Sequence, residues 1–195
     1  MSLIRNLVTL AAATLCMMTS VANAVPIEYI FKGTASGSLN GAGFASKAFE
    51  FDLFGDTAGV TAGCGVSTCF NNLSLATFSI TGVGSGTLTD SYRMFLTPSA
   101  VGFSHLPGGL DRVDVFNALL STYNLASTFG PISDISGNFV GQFIPDSTTA
   151  GLLSLTNGSN VSFSSTLLQS VPEPATLALL GLGLAGFGFG RRKPA

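Results

Sequence analysis

The sequence predicts an all-β protein, an antiparallel β-sandwich or jelly-roll-like domain flanked by an N-terminal signal helix and a single C-terminal transmembrane helix. Three observations lead to this prediction. Short segments alternate apolar and polar residues, and turn residues separate them about every ten positions. Longer apolar runs stand only near the two ends of the 195-residue chain.

The first element, residues 1–24, has the layout of a secretory signal peptide. Arg5 precedes an apolar run of about twelve residues, and Ala22 and Ala24 are the small residues of a cleavage site. We expect cleavage after Ala24, which leaves Val25 at the mature N-terminus. A permanent N-terminal anchor is the less favoured alternative, because the run is shorter than the about 20 residues of a membrane-spanning helix.

The second element, residues 25–170, is the predicted secreted domain, with eight to ten short strands. Alternation with a period of two indicates strands that have one buried face. The alternating or strand-like runs are residues 27–31, 49–53, 76–80, 92–96, 112–116, 138–143 and 161–164.

Turn signals separate these runs. Asn157-Gly158 is the strongest of them, and it predicts a hairpin that pairs residues 151–156 with 159–164. We also expect turns in the serine- and glycine-rich stretch 35–43 and at Gly130-Pro131.

Residues 115–128 are the least clear segment of the predicted domain. A strand, or a strand followed by a turn, is the favoured interpretation. The alternative is a short helix, which the spacing of Leu119, Leu120, Tyr123 and Leu125 would also suit.

Charge excludes one class of function. Between residues 25 and 170 the chain has nine acidic and four basic residues, a net charge of −5, with no basic stretch. Nucleic-acid binding depends on Lys and Arg that meet phosphates, so we expect no nucleic-acid partner.

Two cysteines, Cys64 and Cys69, remain in the predicted secreted domain. An oxidising compartment favours a disulfide between thiols this close in sequence. A structural zinc site is a rival, but tetrahedral zinc takes four ligands and the chain has one histidine. Free thiols are the remaining alternative.

His105 is the only histidine, and a Ser-His-acid hydrolase would need it as the base. Asp111 or Asp114 would orient it, and a serine would be the nucleophile. No Gly-x-Ser-x-Gly elbow surrounds a serine. We therefore interpret His105 as a surface-loop residue.

Paired carboxylates could hydrolyse glycosides, and Glu28, Glu50, Asp52 and Asp56 are the candidates. The chain has no tryptophan to stack on a sugar ring. Glu50 and Asp52 also have a simpler explanation, since residues two apart on a strand share its solvent face.

Calcium could bind through Asp52 and Asp56, or through Asp111 and Asp114. No EF-hand spacing is present, so solvated turn aspartates are the favoured interpretation. The sequence predicts no enzymatic activity, no cofactor and no metal site.

The third element, residues 171–195, is built unlike the end of a globular domain. Pro172-Glu173-Pro174 cannot join a helix or a sheet ladder, because proline lacks an N–H donor. The uncharged residues 175–190 predict a transmembrane helix about 24 Å long. The basic cluster that follows predicts a cytoplasmic C-terminus under the positive-inside rule. It consists of Arg191, Arg192 and Lys193.

The order of motif, short apolar helix and basic cluster resembles the PEP-CTERM sorting signal of Gram-negative bacteria. The resemblance implies an exosortase as partner, a membrane-embedded, cysteine-dependent, transpeptidase-like enzyme. It would recognise Pro172, Glu173 and Pro174, remove the helix, and release or transfer the domain, often into an exopolysaccharide matrix. The stretch after the signal peptide resembles a recurrent PEP-CTERM cargo domain of undefined activity.

We therefore expect an exported protein that is first an inner-membrane-anchored precursor and then reaches the outer surface or extracellular matrix. Its expected partners are the signal peptidase and export machinery, the exosortase, the membrane through a transient helix, and exopolysaccharide. The alternative is a carbohydrate-binding module or small secreted hydrolase with the same tail. A concave face with clustered aromatic residues would favour that alternative, whereas a Ser/Thr/Gly surface would favour a structural role.

Overall fold

The structure is a computed structural model that describes residues 24–64, 66–106, 109–135 and 145–168. This part of the chain contains eleven strands, and every pair among them is antiparallel. The all-β antiparallel prediction is confirmed. Residues 1–23 of the predicted signal helix lie outside the described residues, as do the predicted helix 175–190, the predicted strand 138–143 and the predicted domain boundary at 170/171. The strands are β1 Pro26–Leu39, β2 Ala42–Asp56, β3 Cys69–Asn72, β4 Leu75–Ile80, β5 Gly84–Thr87, β6 Ser91–Leu96, β7 Ala100–Leu106, β8 Asp111–Phe116, β9 Phe129–Ser133, β10 Asp146–Thr148 and β11 Gly151–Leu167.

The strands form two sheets. The large sheet has the order β10-β11-β1-β2-β4-β5, and β9 pairs with the second half of β11. The small sheet has the order β3-β6-β7-β8. Three strands are long, with 14 residues in β1, 15 in β2 and 17 in β11. They lie side by side and form the centre of the large sheet.

The large sheet closes on itself at one end. The N–H of Thr89 donates to the carbonyl of Ser147, and the N–H of Thr149 donates to the carbonyl of Thr87, both at 2.9 Å. These bonds join the segment after β5 to β10, which is the other lateral strand of this sheet. Closure pairs backbone groups that an open edge would expose to another chain.

The core lies between the two sheets. The ring of Phe103 on β7 lies 5.7 Å from that of Phe31 on β1 and 5.2 Å from that of Phe51 on β2. All three rings are buried. Because they come from both sheets, the sheets pack face to face as a sandwich.

The predicted hairpin at Asn157-Gly158 is wrong. Strand β11 runs without a turn through these residues and bulges at Asn157, so it stays paired with β1 over nearly its whole length. A second Asn-Gly pair, Asn40-Gly41, makes the turn between β1 and β2, with φ angles of 49° and 82°. A turn at Asn157 would have removed half of β11 from its pairing with β1.

The predicted turn at 35–43 is also wrong in extent. Strand β1 continues to Leu39, which is buried, and only Asn40 and Gly41 leave the ladder. Gly130-Pro131 is not a turn either, because both residues lie within the short strand β9. Pairing with β11 decides this segment rather than local turn preference.

Residues 115–128 combine the two interpretations. Strand β8 ends at Phe116, and a short 3₁₀ helix, Ala118–Thr122, follows. Asn117 caps this helix by accepting a hydrogen bond from the N–H of Leu119 at 3.0 Å. Leu120 is the buried residue of this 3₁₀ helix.

Replacing Phe103 by Ala should destabilise the domain by about 3–5 kcal/mol. The change removes the small-sheet ring that packs against Phe31 and Phe51 of the large sheet, and it leaves a cavity. Phe54→Ala is the matched control. Phe54 lies on β2 but points away from the core and is only partly buried, so its loss should cost less than half as much. Urea unfolding of both variants measures the difference, and equal costs would contradict this description of the core.

Candidate functional site

The first and last described segments of the chain, at Val25 and Leu168, lie at the same end of the large sheet. The N–H of Val25 donates to the Thr57 hydroxyl at 3.1 Å, and the N–H of Thr57 donates to the Val25 carbonyl at 3.0 Å. The N–H of Leu168 donates to the carbonyl of Pro26 at 2.8 Å. We call this end, formed by Val25, Pro26, Thr57 and Leu168, the tether end.

The predicted processing residues flank the tether end in sequence. Ala24 is described and exposed, one residue before Val25. Ala22 lies outside the described residues, as do the sorting motif and the basic cluster. The structure therefore fixes where both predicted processing segments join the domain. The residues outside it are Pro172, Glu173, Pro174, Arg191, Arg192 and Lys193.

The expected disulfide is present. Cys64 and Cys69 are bonded to each other, with Cα atoms 5.0 Å apart. Cys69 is fully buried at the start of β3. The bond therefore ties the loop that follows β2 to the first strand of the small sheet.

The outer face of the large sheet carries hydroxyl side chains at half of its positions. Ile27, Tyr29 and Phe31 are buried, so alternate residues of β1 and their cross-strand partners point away from the core. They form three rows across the sheet. The rows are Ser162, Lys32, Glu50, Ser79 and Ser85; Ser164, Ile30, Asp52, Thr77 and Thr87; and Thr166, Glu28, Phe54 and Leu75.

This outer face also explains the predicted carboxylate pair. Glu50 and Asp52 share it, as expected, and the Lys32 ammonium lies 2.9 Å from Glu50. Partial burial raises the pKa of Asp52, and the nearby charges of Glu50 and Glu28 raise it further. Asp56 lies at the end of β2, where its carboxylate accepts a hydrogen bond from the N–H of Ala58 at 2.7 Å.

A cluster of polar side chains, buried at Arg112 and Tyr92 and exposed at Asp90, lies where the two sheets meet. The guanidinium of Arg112 is 2.8 Å from the carboxylate of Asp146, and the Tyr92 hydroxyl donates to the same oxygen at 2.6 Å. His105 lies beside them, with its ring 5.5 Å from that of Tyr92. Its Nε2 is 3.6 Å from the carboxylate of Asp90. We call these five residues the polar cluster.

A β-bulge directs Arg112 into the polar cluster. Val113 pairs with Phe103 while Asp111 pairs with Ser104, so Arg112 is the extra residue on β8. Its partner Asp146 belongs to β10 of the large sheet, and the ion pair therefore links the two sheets. Burial raises the pKa of Asp146, while the Tyr92 hydrogen bond and the positive charge of Arg112 act in the opposite direction.

A cleft of about 230 Å³ opens beside the polar cluster, lined by residues 73–76 and 87–92. Asp90 and Tyr92 belong to this lining, but His105 does not. Tyr92 is buried, so it offers no open aromatic face for a sugar ring.

His105 occupies a different position from the one predicted. It lies within β7 rather than in a loop, and its carboxylate neighbour is Asp90 rather than Asp111 or Asp114. The alternative arrangement, in which Asp111 or Asp114 would orient His105, is not found among the described residues. Asp90 is 15 positions away in sequence, and only the pairing of β6 with β7 brings it close.

Asp114 is the most unusual carboxylate of the described residues. It lies on the face of β8 opposite Val113 and Val115, and it is 5% exposed. One of its oxygens has no hydrogen-bond partner within the described ranges. Burial raises the pKa of Asp114 to about 7, and the nearby charges of Asp111 and Asp134 raise it further.

A metal site does not emerge from these carboxylates. Across the ranges that the structure describes, no three His, Cys, Asp or Glu side chains lie close enough together to hold an ion. The two aspartate pairs proposed for calcium are therefore not completed by a third such ligand there.

Comparison with known proteins identifies the C-terminal segment. Residues 170–193 match the PEP-CTERM protein-sorting motif, so this segment of the chain carries that sorting signal. The motif indicates exosortase-dependent sorting of an exported protein. No curated protein and no solved structure matches the chain. Among the described residues, none forms a helix with the length and apolar character needed to cross a membrane.

Replacing Asp146 by Asn should lower the free energy of unfolding by about 3 kcal/mol, because the buried Arg112 would lose its negative counter-charge. Glu50→Gln is the matched control. The side chains of Arg112 and Asp146 are 6% and 13% exposed, whereas those of Lys32 and Glu50 are 54% and 36% exposed. Loss of the exposed pair should cost less than about 1 kcal/mol in urea unfolding. Equal effects would show that the ion pair does not link the sheets.

Replacing Asp114 by Asn should change how stability depends on pH. The pKa of Asp114 is about 7 in the folded protein and ordinarily 3.8, so between these values the folded state holds a proton that the unfolded chain has lost. The native free energy of unfolding therefore falls as the pH rises through this window, by up to about 4 kcal/mol. The Asp114→Asn variant has no ionisable carboxyl at this position, so its free energy of unfolding should not fall in this way.

Urea unfolding between pH 4 and pH 8 measures this effect. The stability of the Asp114→Asn variant relative to the native protein should increase steadily with pH. A difference that stays constant over this range would contradict the burial of an ionisable carboxyl at this position.

Proposed function

We propose that this chain is an exported cell-surface or extracellular-matrix protein whose β-domain is a non-catalytic cargo. Its precursor is anchored in the inner membrane by residues 175–190, and an exosortase-type enzyme acts at Pro172-Glu173-Pro174. The cut domain then reaches the outer surface or an exopolysaccharide matrix. The observation that carries the proposal is the sorting motif at residues 170–193.

The surface chemistry of the domain supports a matrix role. The three outer rows of the large sheet contain seven Ser and Thr residues, four charged residues and one aromatic residue, Phe54. Hydroxyl groups hydrate such a face without adding charge, which is compatible with contact to neutral polysaccharide. The arrangement of His105 supports a non-catalytic domain, since its neighbour is Asp90 and it stands outside the cleft lining.

The sorting role is tested by changing Pro172-Glu173-Pro174 to three alanines in a Gram-negative host that supplies an exosortase. Intact mass and membrane fractionation are measured for both forms. The native protein should begin at Val25, lack residues 175–195 and leave the inner membrane. The variant should keep Arg191–Lys193 and remain anchored.

The same two proteins expressed without an exosortase provide the control, and both should then stay in the membrane. If the native and altered proteins keep the basic cluster and remain anchored even when the enzyme is present, the segment is a permanent anchor. The proposed sorting would then be wrong.

A further inference from the structure

The two predicted membrane attachments of the precursor join the domain at the tether end. Strands β1 and β11 are antiparallel, with Ile27 opposite Leu167, so the first and last residues of the domain leave it side by side. The hydrogen bond from Leu168 to Pro26 is the last one described before the sorting segment. At the opposite end of β1 lies the Asn40-Gly41 turn, up to about 45 Å away at 3.3 Å per residue.

The sorting motif follows the domain closely. Only residues 169–171 separate Leu168 from Pro172. Four Cα–Cα steps span at most about 15 Å. An enzyme that binds Pro172-Glu173-Pro174 at the membrane must therefore work within that distance of the tether end.

The residues at and beside the tether end would allow a processing enzyme to come close to the domain. The exposed or half-exposed segment Thr57–Gly59 carries only small, uncharged side chains. Residues 124–130, which adjoin it where Thr128 accepts a hydrogen bond from the N–H of Leu167, are also uncharged. The carboxylate of Asp56 is engaged by the N–H of Ala58. Small, uncharged residues lower the desolvation cost when an enzyme comes near, and the hydrogen bond from Ala58 partly compensates the one carboxylate, that of Asp56.

We propose that the tether end is the surface that the folded domain presents to the membrane-embedded processing enzyme, and that residues 169–171 set the minimum separation for cleavage. This inference rests on the proposed sorting function. We call residues 169–171 the spacer. Its length should affect cleavage more than its sequence does, because the spacer keeps the folded domain outside the enzyme.

The test compares three forms in the exosortase-containing host by pulse-chase labelling and intact mass. Deletion of residues 169–171 should slow cleavage at least tenfold, because the folded domain would collide with the enzyme. Replacement of the same three residues by Gly-Ser-Gly should leave the rate within twofold of the native protein. The thermal unfolding midpoints of the three forms check that each still folds.

A second pair of variants tests the surface itself. An eight-residue charged peptide inserted after Ala58, at the tether end, should slow cleavage at least fivefold. The same peptide inserted between Asn40 and Gly41, at the far end, should not slow it. Unfolding midpoints of the two insertion variants check that each still folds.

The outcomes separate the two proposals. If the native protein is not cleaved at all, the proposed sorting function fails and this inference fails with it. If the native protein is cleaved and both the spacer deletion and the Ala58 insertion are cleaved as fast, sorting stands and the proposed role of the tether end is wrong.

Discussion

The antiparallel pairing of the first and last strands, β1 and β11, is the interaction on which the rest of the structure depends. The two strands lie next to each other in the large sheet. Strand β2 pairs with the other edge of β1, and strands β9 and β10 pair with the other edge of β11. The buried rings of Phe31 and Phe163 meet across this pair, with centroids 5.0 Å apart. The same pairing places the two ends of the domain together. One contact pattern therefore organises both the core and the position of the two ends of the described domain.

Charge is scarce in this chain, and one buried ion pair lies at the junction between the sheets. Arg112 and Asp146 belong to different sheets, and Asp146 directly precedes Ser147, which accepts one of the bonds that close the large sheet. The ion pair and the backbone closure therefore hold the same short strand, β10. Deleting one partner of such a pair leaves a buried charge uncompensated, which makes the site sensitive to mutation.

The sequence predicted the features that depend on local pattern and missed those that depend on pairing partners. Alternation located β4, β6 and β8 to within a residue or two, and the sorting motif is recognisable because its parts are contiguous. The Asn-Gly rule applied to both Asn40 and Asn157, and only the length of β1 decides which becomes the turn. The neighbour of His105 could not be found by spacing, since β6 brings Asp90 to it. No sequence pattern predicted the ion pair of Asp146, because a bulge in β8 turns the side chain of its partner Arg112 toward it.

Amide hydrogen exchange of the mature domain tests the central claim most directly. The account predicts that amides in residues 27–33 and 161–168 exchange slowly and become exposed together, because neither strand keeps its main pairing without the other. If residues 161–168 exchange rapidly while residues 27–33 remain protected, the first and last strands are not paired. The common origin of the core and the tether end would then be wrong.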